Sequence, residues 1–219
     1  MVSSIIQMGI PDPQILFLGV GDHECNRAPL QVGQFESGDE ELDLWLTRTW
    51  LKKGGGGDEG ESYLLAHYFA AKHTSIDSWE KRKQKGFLFT IGDEPGLRSL
   101  PKRSVQEIMG NEVQANFTDE QLLSAAQEMY DVYHIHMTHG RGNSYGRAEM
   151  YWKNLLNQHC IVVDEPENVA ETIANIVVNN TKNNVSYEPT AKVNNVITSV
   201  TPDVTSSTST SNSEEEIIL

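Results

Sequence analysis

Cysteine is nearly absent from this chain of 219 residues, which has only Cys25 and Cys160. The two are far apart and in no ligand spacing, which excludes a disulfide scaffold and a thiolate zinc site. Basic residues are scarce as well: 17 Lys and Arg face 31 Asp and Glu, a formal net charge of −14. A field of that sign repels nucleic acid and anionic membranes at long range, so neither is an expected partner. Long apolar runs are also missing, and no stretch approaches the about 18–20 apolar residues of a membrane span. The opening "MVSSIIQMGIPDPQ" has no basic flank and too short an apolar run for a signal peptide. The expected location is cytoplasmic, where the sequons at Asn116, Asn179 and Asn184 carry no meaning.

What the chain does contain changes character near residue 180. From Thr181 onward large apolar groups are few, and 9 of the 13 residues from Thr201 to Ser213 are Ser or Thr. Such a segment buries too little surface to offset its ordering entropy. The expected organisation is a domain over residues 1–180 followed by a disordered, acidic Ser/Thr-rich tail over 181–219.

Residues 1–180 alternate between two periods. "PQILFLGVGD" (13–22), "APLQVGQF" (28–35), "KGFLFTIGDEPG" (85–96), "DVYHIHMTHG" (131–140) and "CIVV" (160–163) read as strands. "SGDEELDLWLTRTWLKK", "ESYLLAHYFAAKHT", "TDEQLLSAAQEMY", "RAEMYWKNLLNQH" and "PENVAETIANIVVNN" read as helices, Thr118 being an N-cap and Pro166 a first-turn residue. Strands separated by helices of ten or more residues imply an α/β fold, with a mostly parallel, doubly wound sheet covered on both faces. "EKRKQK" (80–85) reads as a solvated basic connection, and of Trp45 and Trp50 only one can face the core.

In open parallel sheets ligands bind beyond the carboxyl ends of the strands. Gly21-Asp22-His23-Glu24, the loop "KKGGGGDEGES" (52–62) and Gly92-Asp93-Glu94 all fall there. From Gly55 that loop nearly spells a phosphate-binding motif, but Glu61 stands where the motif needs lysine, and Asp58 and Glu59 line the loop. One like-charge contact at ~4 Å costs about 4 kcal/mol at an effective dielectric near 20, so phosphate is excluded. A hard cation suits these oxygen donors better. Asp93 would coordinate Mg²⁺, Mn²⁺ or Ca²⁺ directly or through water, with Asp58 or Glu59 and the Ser62 hydroxyl completing the shell and Asp22 on the same edge. The simpler alternative makes the glycines a tight turn and the acids caps of the next helix.

"GGGDEGESYLLA" (55–66) and "FLFTIGDEPG" (87–96) resemble two of the three metal-binding loops of von Willebrand factor A-type domains. With "GDHECNRAPLQVGQFESGDEELDLWL" and "DSWEKRKQKGFLFTIGDE", the likeness extends over about residues 5–180 and points to a bacterial or phage subgroup. The resemblance implies a metal-ion-dependent adhesion site, a protein partner that offers a carboxylate to the cation, and no enzymatic reaction. Two departures matter. The family's ligand threonine falls on Gly57, so Asp58 or Glu59 must substitute for it. No Asp-x-Ser-x-Ser precedes "PQILFLGVGD", so the resemblance also implies that the central first strand is missing, leaving the adhesion site incomplete.

A second class of function rests on "YHIHMTHG". His134 and His136 project to one side of a strand at a spacing that binds zinc, with Asp93 or His23 as a third ligand. That reading is a metal-dependent hydrolase. Its bland counterpart is a strand whose histidines only hydrogen-bond locally.

Overall fold

The computed structural model describes residues 2–50, 60–138 and 145–184. Its centre is a three-stranded parallel sheet in the order β3–β6–β7, formed by β3 (Gly86–Gly92), β6 (Tyr130–Met137) and β7 (Cys160–Val163). The register pairs Phe89 with Tyr133, Thr90 with His134, and Ile91 with Ile135; across the other ladder His134 pairs with Cys160. Helices cover both faces, as parallel strands require. The chain is therefore a mixed α/β protein, compatible with a Rossmann-like arrangement.

Each face of the sheet has its own apolar cluster. On one, Val132 and Leu88 meet Tyr63 and Ala70 of the α3 segment (helix Leu64–His73), Leu123 and Ala126 of α6 (Asp119–Gln127), and Trp152 of α7 (Tyr145–Leu156). On the other, Ile135, Val163 and Phe89 pack on Ile173 and Val177 of α8 (Val169–Asn184). The short helix α1 (Val2–Gln7) lies against α8 and buries Val2 and Ile5. At about 25 cal/mol per Å² of apolar surface, these clusters supply the main stabilisation.

Local signals explain several boundaries. Thr118 accepts a bond from the Gln121 amide at 3.2 Å while the Gln121 side chain accepts from the Thr118 amide at 2.9 Å, a capping box that starts α6. Lys83 and Gly110 adopt left-handed conformations that end α4 (Asp77–Arg82) and α5 (Lys102–Met109). The "EKRKQK" run is thus partly helical, its first three residues closing α4. β4 (Ser99–Leu100), just before α5, and β5 (Phe117–Thr118), just before α6, pair antiparallel, and Leu100 and Phe117 join a satellite cluster that includes Leu65, Val105 and Leu122.

The segment 13–22 departs from expectation. Only Leu18–Val20 forms a strand, β1, and it pairs antiparallel with β2 (Leu30–Val32) rather than joining the parallel sheet. Its residues are half-buried. Helix α2 (Asp39–Arg48) packs on this hairpin through Leu42 and Trp45, whose indole donates to Glu36 at 3.2 Å. Trp50 is exposed, so one tryptophan of the pair faces inward, as the spacing requires. Between β1 and β3 lies an open cleft of about 1110 Å³, bordered by Phe17–Gly21 on one side and Phe87–Gly92 on the other.

The expected tail boundary at 181 falls inside α8, and the Ser/Thr-rich segment lies outside the described residues. No described helix is long and apolar enough to cross a membrane.

Candidate functional site

The carboxyl ends of β1 and β3 meet at the start of α3. There a Gly-Asp turn closes each strand, and Gly60–Tyr63 lies between the two turns. Gly60 is needed because any side chain there would press on the Pro95 carbonyl oxygen, 2.7 Å from its Cβ position. That close approach lets the Glu61 amide donate to Pro95 at 2.9 Å and the Glu61 carbonyl accept from Leu97 at 3.0 Å. Gly92 is favoured for a related reason, since an added Cβ would have to displace the Tyr63 hydroxyl.

Asp22 is buried and organises its own turn. One carboxylate oxygen accepts from the Glu24 amide at 2.9 Å, and the other from the Cys25 thiol at 3.1 Å. The His23 amide donates to the Ser62 hydroxyl at 3.0 Å, and Ser62 Oγ pairs with His23 Nδ1 at 2.8 Å. Ser62 is only 1% exposed. A Ser–His–Asp catalytic relay is excluded by this geometry, because His23 Nδ1 faces both the serine and Asp22 (3.9 Å). A relay needs the two partners on opposite ring nitrogens. Ser62 and Asp22 instead tie the β1 turn to α3.

Asp93 stands on the other side of the same cleft end. Asp22, Glu61 and Asp93 all line it, and the charges of Glu61, Asp93 and Glu94 join burial in raising the Tyr63 phenol above its ordinary range. Of the expected cation ligands, Asp22 and Asp93 therefore line one end of one cleft, and Ser62 lies behind its lining, bonded to His23 beside Asp22. Asp58 and Glu59 lie outside the described residues. Among the described residues, no group of three or more His, Cys, Asp or Glu side chains is close enough to hold a metal ion. The oxygen donors present suit a hard cation, but Asp22 and Ser62 are already engaged in hydrogen bonds.

The histidines occupy a different environment. His134 and His136 do project to one face, and both are 0% exposed. His134 stacks on Trp152 with ring centroids 3.7 Å apart, meets Tyr63 edge-on, and pairs with the Thr90 hydroxyl at 2.8 Å. Desolvation, with the nearby His136 and His67, holds its pKa down to about 2. Desolvation likewise lowers His136, and lowers His67 to about 4 despite the opposing charge of Asp119. Asp93 faces His136 closely enough to oppose that lowering, yet the two complete no ligand set.

His67 was not singled out by the sequence, which placed it on a helix otherwise apolar. Both of its ring nitrogens, and Nε2 of His134, are buried without a hydrogen-bond partner among the described residues. Asp119 is a second residue that sequence alone undervalued. It lies in the first turn of α6, is buried, and accepts from Arg98 and from the Tyr151 hydroxyl, each at 3.0 Å. These two partners lie 21 and 32 positions away in the chain, which no local pattern announces.

No protein-family model matches the chain, and no curated protein matches it.

Proposed function

We propose that the chain is a protein-interaction module of von Willebrand A type, whose acidic sheet edge holds a divalent cation weakly and presents it to a partner's carboxylate. The observation that supports this reading is the convergence of Asp22, Glu61 and Asp93 on one end of the cleft beside Ser62. Three loops distant in sequence supply oxygen donors there, at the edge where parallel sheets take ligands.

Weak binding follows from the same geometry. A cation at this edge must draw Asp22 away from the Glu24 amide and Ser62 away from His23. Mg²⁺ gives up its water reluctantly and tolerates little distortion, so these donors reward it poorly. Mn²⁺ titration of the whole chain, followed by electron paramagnetic resonance, should give a dissociation constant well above micromolar that weakens further in Asp93→Asn. A submicromolar site, or one indifferent to that substitution, would refute the reading. So would partner capture that survives both EDTA and Asp93→Ala.

The hydrolase alternative draws less support. A catalytic zinc keeps one coordination position open to water, whereas His134 is sealed beneath Trp152 and Tyr63 and His136 is likewise 0% exposed. Stoichiometric zinc in the purified chain, lost in His134→Ala and His136→Ala, would reverse this preference.

A further inference from the structure

We propose that the cleft between β1 and β3 is a strand-receiving site: it takes one extended apolar segment of another polypeptide, running parallel to β3, with an acidic flank beside Lys83 and Lys85 and a basic flank beside Asp22, Glu61 and Asp93. Strand β3 pairs only with β6, and β1 only with β2, among the described residues. Alternate residues of β3 therefore turn their backbone amides and carbonyls toward the cleft, a row of groups made for a ladder. The usual defences of an edge strand are missing. "GFLFTIG" contains no proline and no charge, and it runs seven residues unbroken.

The cleft is also walled by helices of both layers. Helix α3 contributes Ala66 and Ala70 to its wall, and Ile173 and Val177 of α8 line it as well. A segment lying between them meets apolar side chains on both faces, the condition that selects an uninterrupted Val/Ile run. Seven residues extend about 23 Å at ~3.3 Å each, which is the length of β3.

Direction and polarity follow from the borders. The carboxyl end of β1 is fastened to Ser62, and the carboxyl end of β3 abuts the adjacent Tyr63, so the two flanking strands point the same way. A parallel occupant continues the sense of β3, β6 and β7. The cleft is lined by Arg82, Lys83 and Lys85 at the end where Asp131 pairs with Phe87, and by Asp22, Glu61 and Asp93 at the other; even with Asp131 and Asp12, which also line the cleft, the first end keeps a net positive charge against three carboxylates. This polarity selects an occupant with opposite charge at each end. The inference does not rest on the cation reading, since a lysine or arginine at the acidic end needs no metal.

The probe is the fluorescein-labelled peptide Glu-Asp-Ile-Val-Val-Val-Ile-Val-Ala-Lys-Lys, titrated into the full chain in EDTA and followed by anisotropy. Saturable one-to-one binding is expected, weakened at least tenfold when alternate central residues are N-methylated and at least tenfold when the two charged flanks are exchanged. Ile91→Lys, which sets a charge at the border of the cleft, should weaken binding to a similar extent with an unchanged circular dichroism spectrum. Should that variant unfold, amide hydrogen exchange of the unaltered chain decides: peptide must slow exchange along Phe87–Ile91 at least tenfold. No binding by folded chain, equal binding of the N-methylated or exchanged peptides, or unaltered exchange in β3 would overturn the proposal. Concentration-dependent dimerisation that excludes the peptide would assign the cleft to a second copy, and peptide binding seen only after truncation at Val185 would assign it to the chain's own tail; either result overturns it. Binding that persists in EDTA while Mn²⁺ affinity fails separates this proposal from the cation reading.

Discussion

Ile91 and Ile135 stand side by side in one ladder, on the same face of one sheet, yet Ile135 is 0% exposed and Ile91 45%. The two strands share their helical cover and their apolar character. They differ in neighbours among the described residues: β6 has a strand on each side, and β3 has one. Burial in a parallel sheet is thus a property of lateral pairing as much as of the layers above and below. A strand whose composition suits the centre of a sheet stands here at an edge, beside a cleft of its own length.

The largest test of that contrast is paired truncation. Ile135→Ala should cost about 2–5 kcal/mol in urea denaturation, as buried isoleucines do. Ile91→Ala should cost under about 1 kcal/mol, because much of its side chain is already wet. Equal losses would mean that the edge is closed in solution.

Acid should act next, on the closed strand and on the helix α3 that covers it. His134 and His67 are neutral in the folded chain, with pKa values lowered to about 2 and about 4 from 6.5. The unfolded chain takes up these protons first. The stability they permit is therefore complete above pH 6.5 and falls as pH drops, down to about 4 for His67 and further for His134. Each contributes a slope of up to about 1.4 kcal/mol per pH unit. In chemical denaturation at a series of pH values, His67→Gln should remove one such slope between pH 6.5 and 4; an unchanged profile would refute the burial of neutral His67.

Gly92→Ala comes third, at about 1–3 kcal/mol, since the new methyl group must displace the Tyr63 hydroxyl at the end of β3. Thermal melts check it, and Tyr63→Phe should relieve part of the loss. The smallest effect belongs to Trp50→Ala, expected within about 0.5 kcal/mol because the ring is mostly exposed.

The strands at 86–92, 130–137 and 160–163 were legible because continuous apolar runs bounded by Gly, Asp or Pro have few other uses. The N-cap at Thr118 was legible because it is a local arrangement, although the reciprocal Gln121 bond that makes it a capping box was not read from the sequence. The run 15–21 misled because its composition is that of a central strand. Nothing in it states that its strand partner among the described residues would be a nearby antiparallel hairpin arm. Helices α4 and α5 escaped notice, since six to eight residues give too few turns for a periodic signal. At the candidate site, Asp22, Ser62 and Asp93 were found through the strand-end rule. The His23–Ser62 pairing spans 39 residues and has no local signature. The resemblance to von Willebrand A domains organised these residues into a cation site, and that assignment stands as a proposal.

The contact between Trp152 and the end of β3 gives the molecule its own optical gauge. Of the four tryptophans only Trp152 is fully buried, so its emission should lie at shorter wavelength than that of Trp45, Trp50 and Trp79. Its indole N–H is bound to the Glu94 carbonyl at 3.1 Å, two residues beyond Gly92. Anything that shifts the β3 turn, whether a cation at Asp93 or a chain laid along the strand, alters the field on that ring. Trp45, Trp50 and Trp79 can be replaced by phenylalanine, leaving a single-tryptophan protein whose colour reports the state of the cleft without a label.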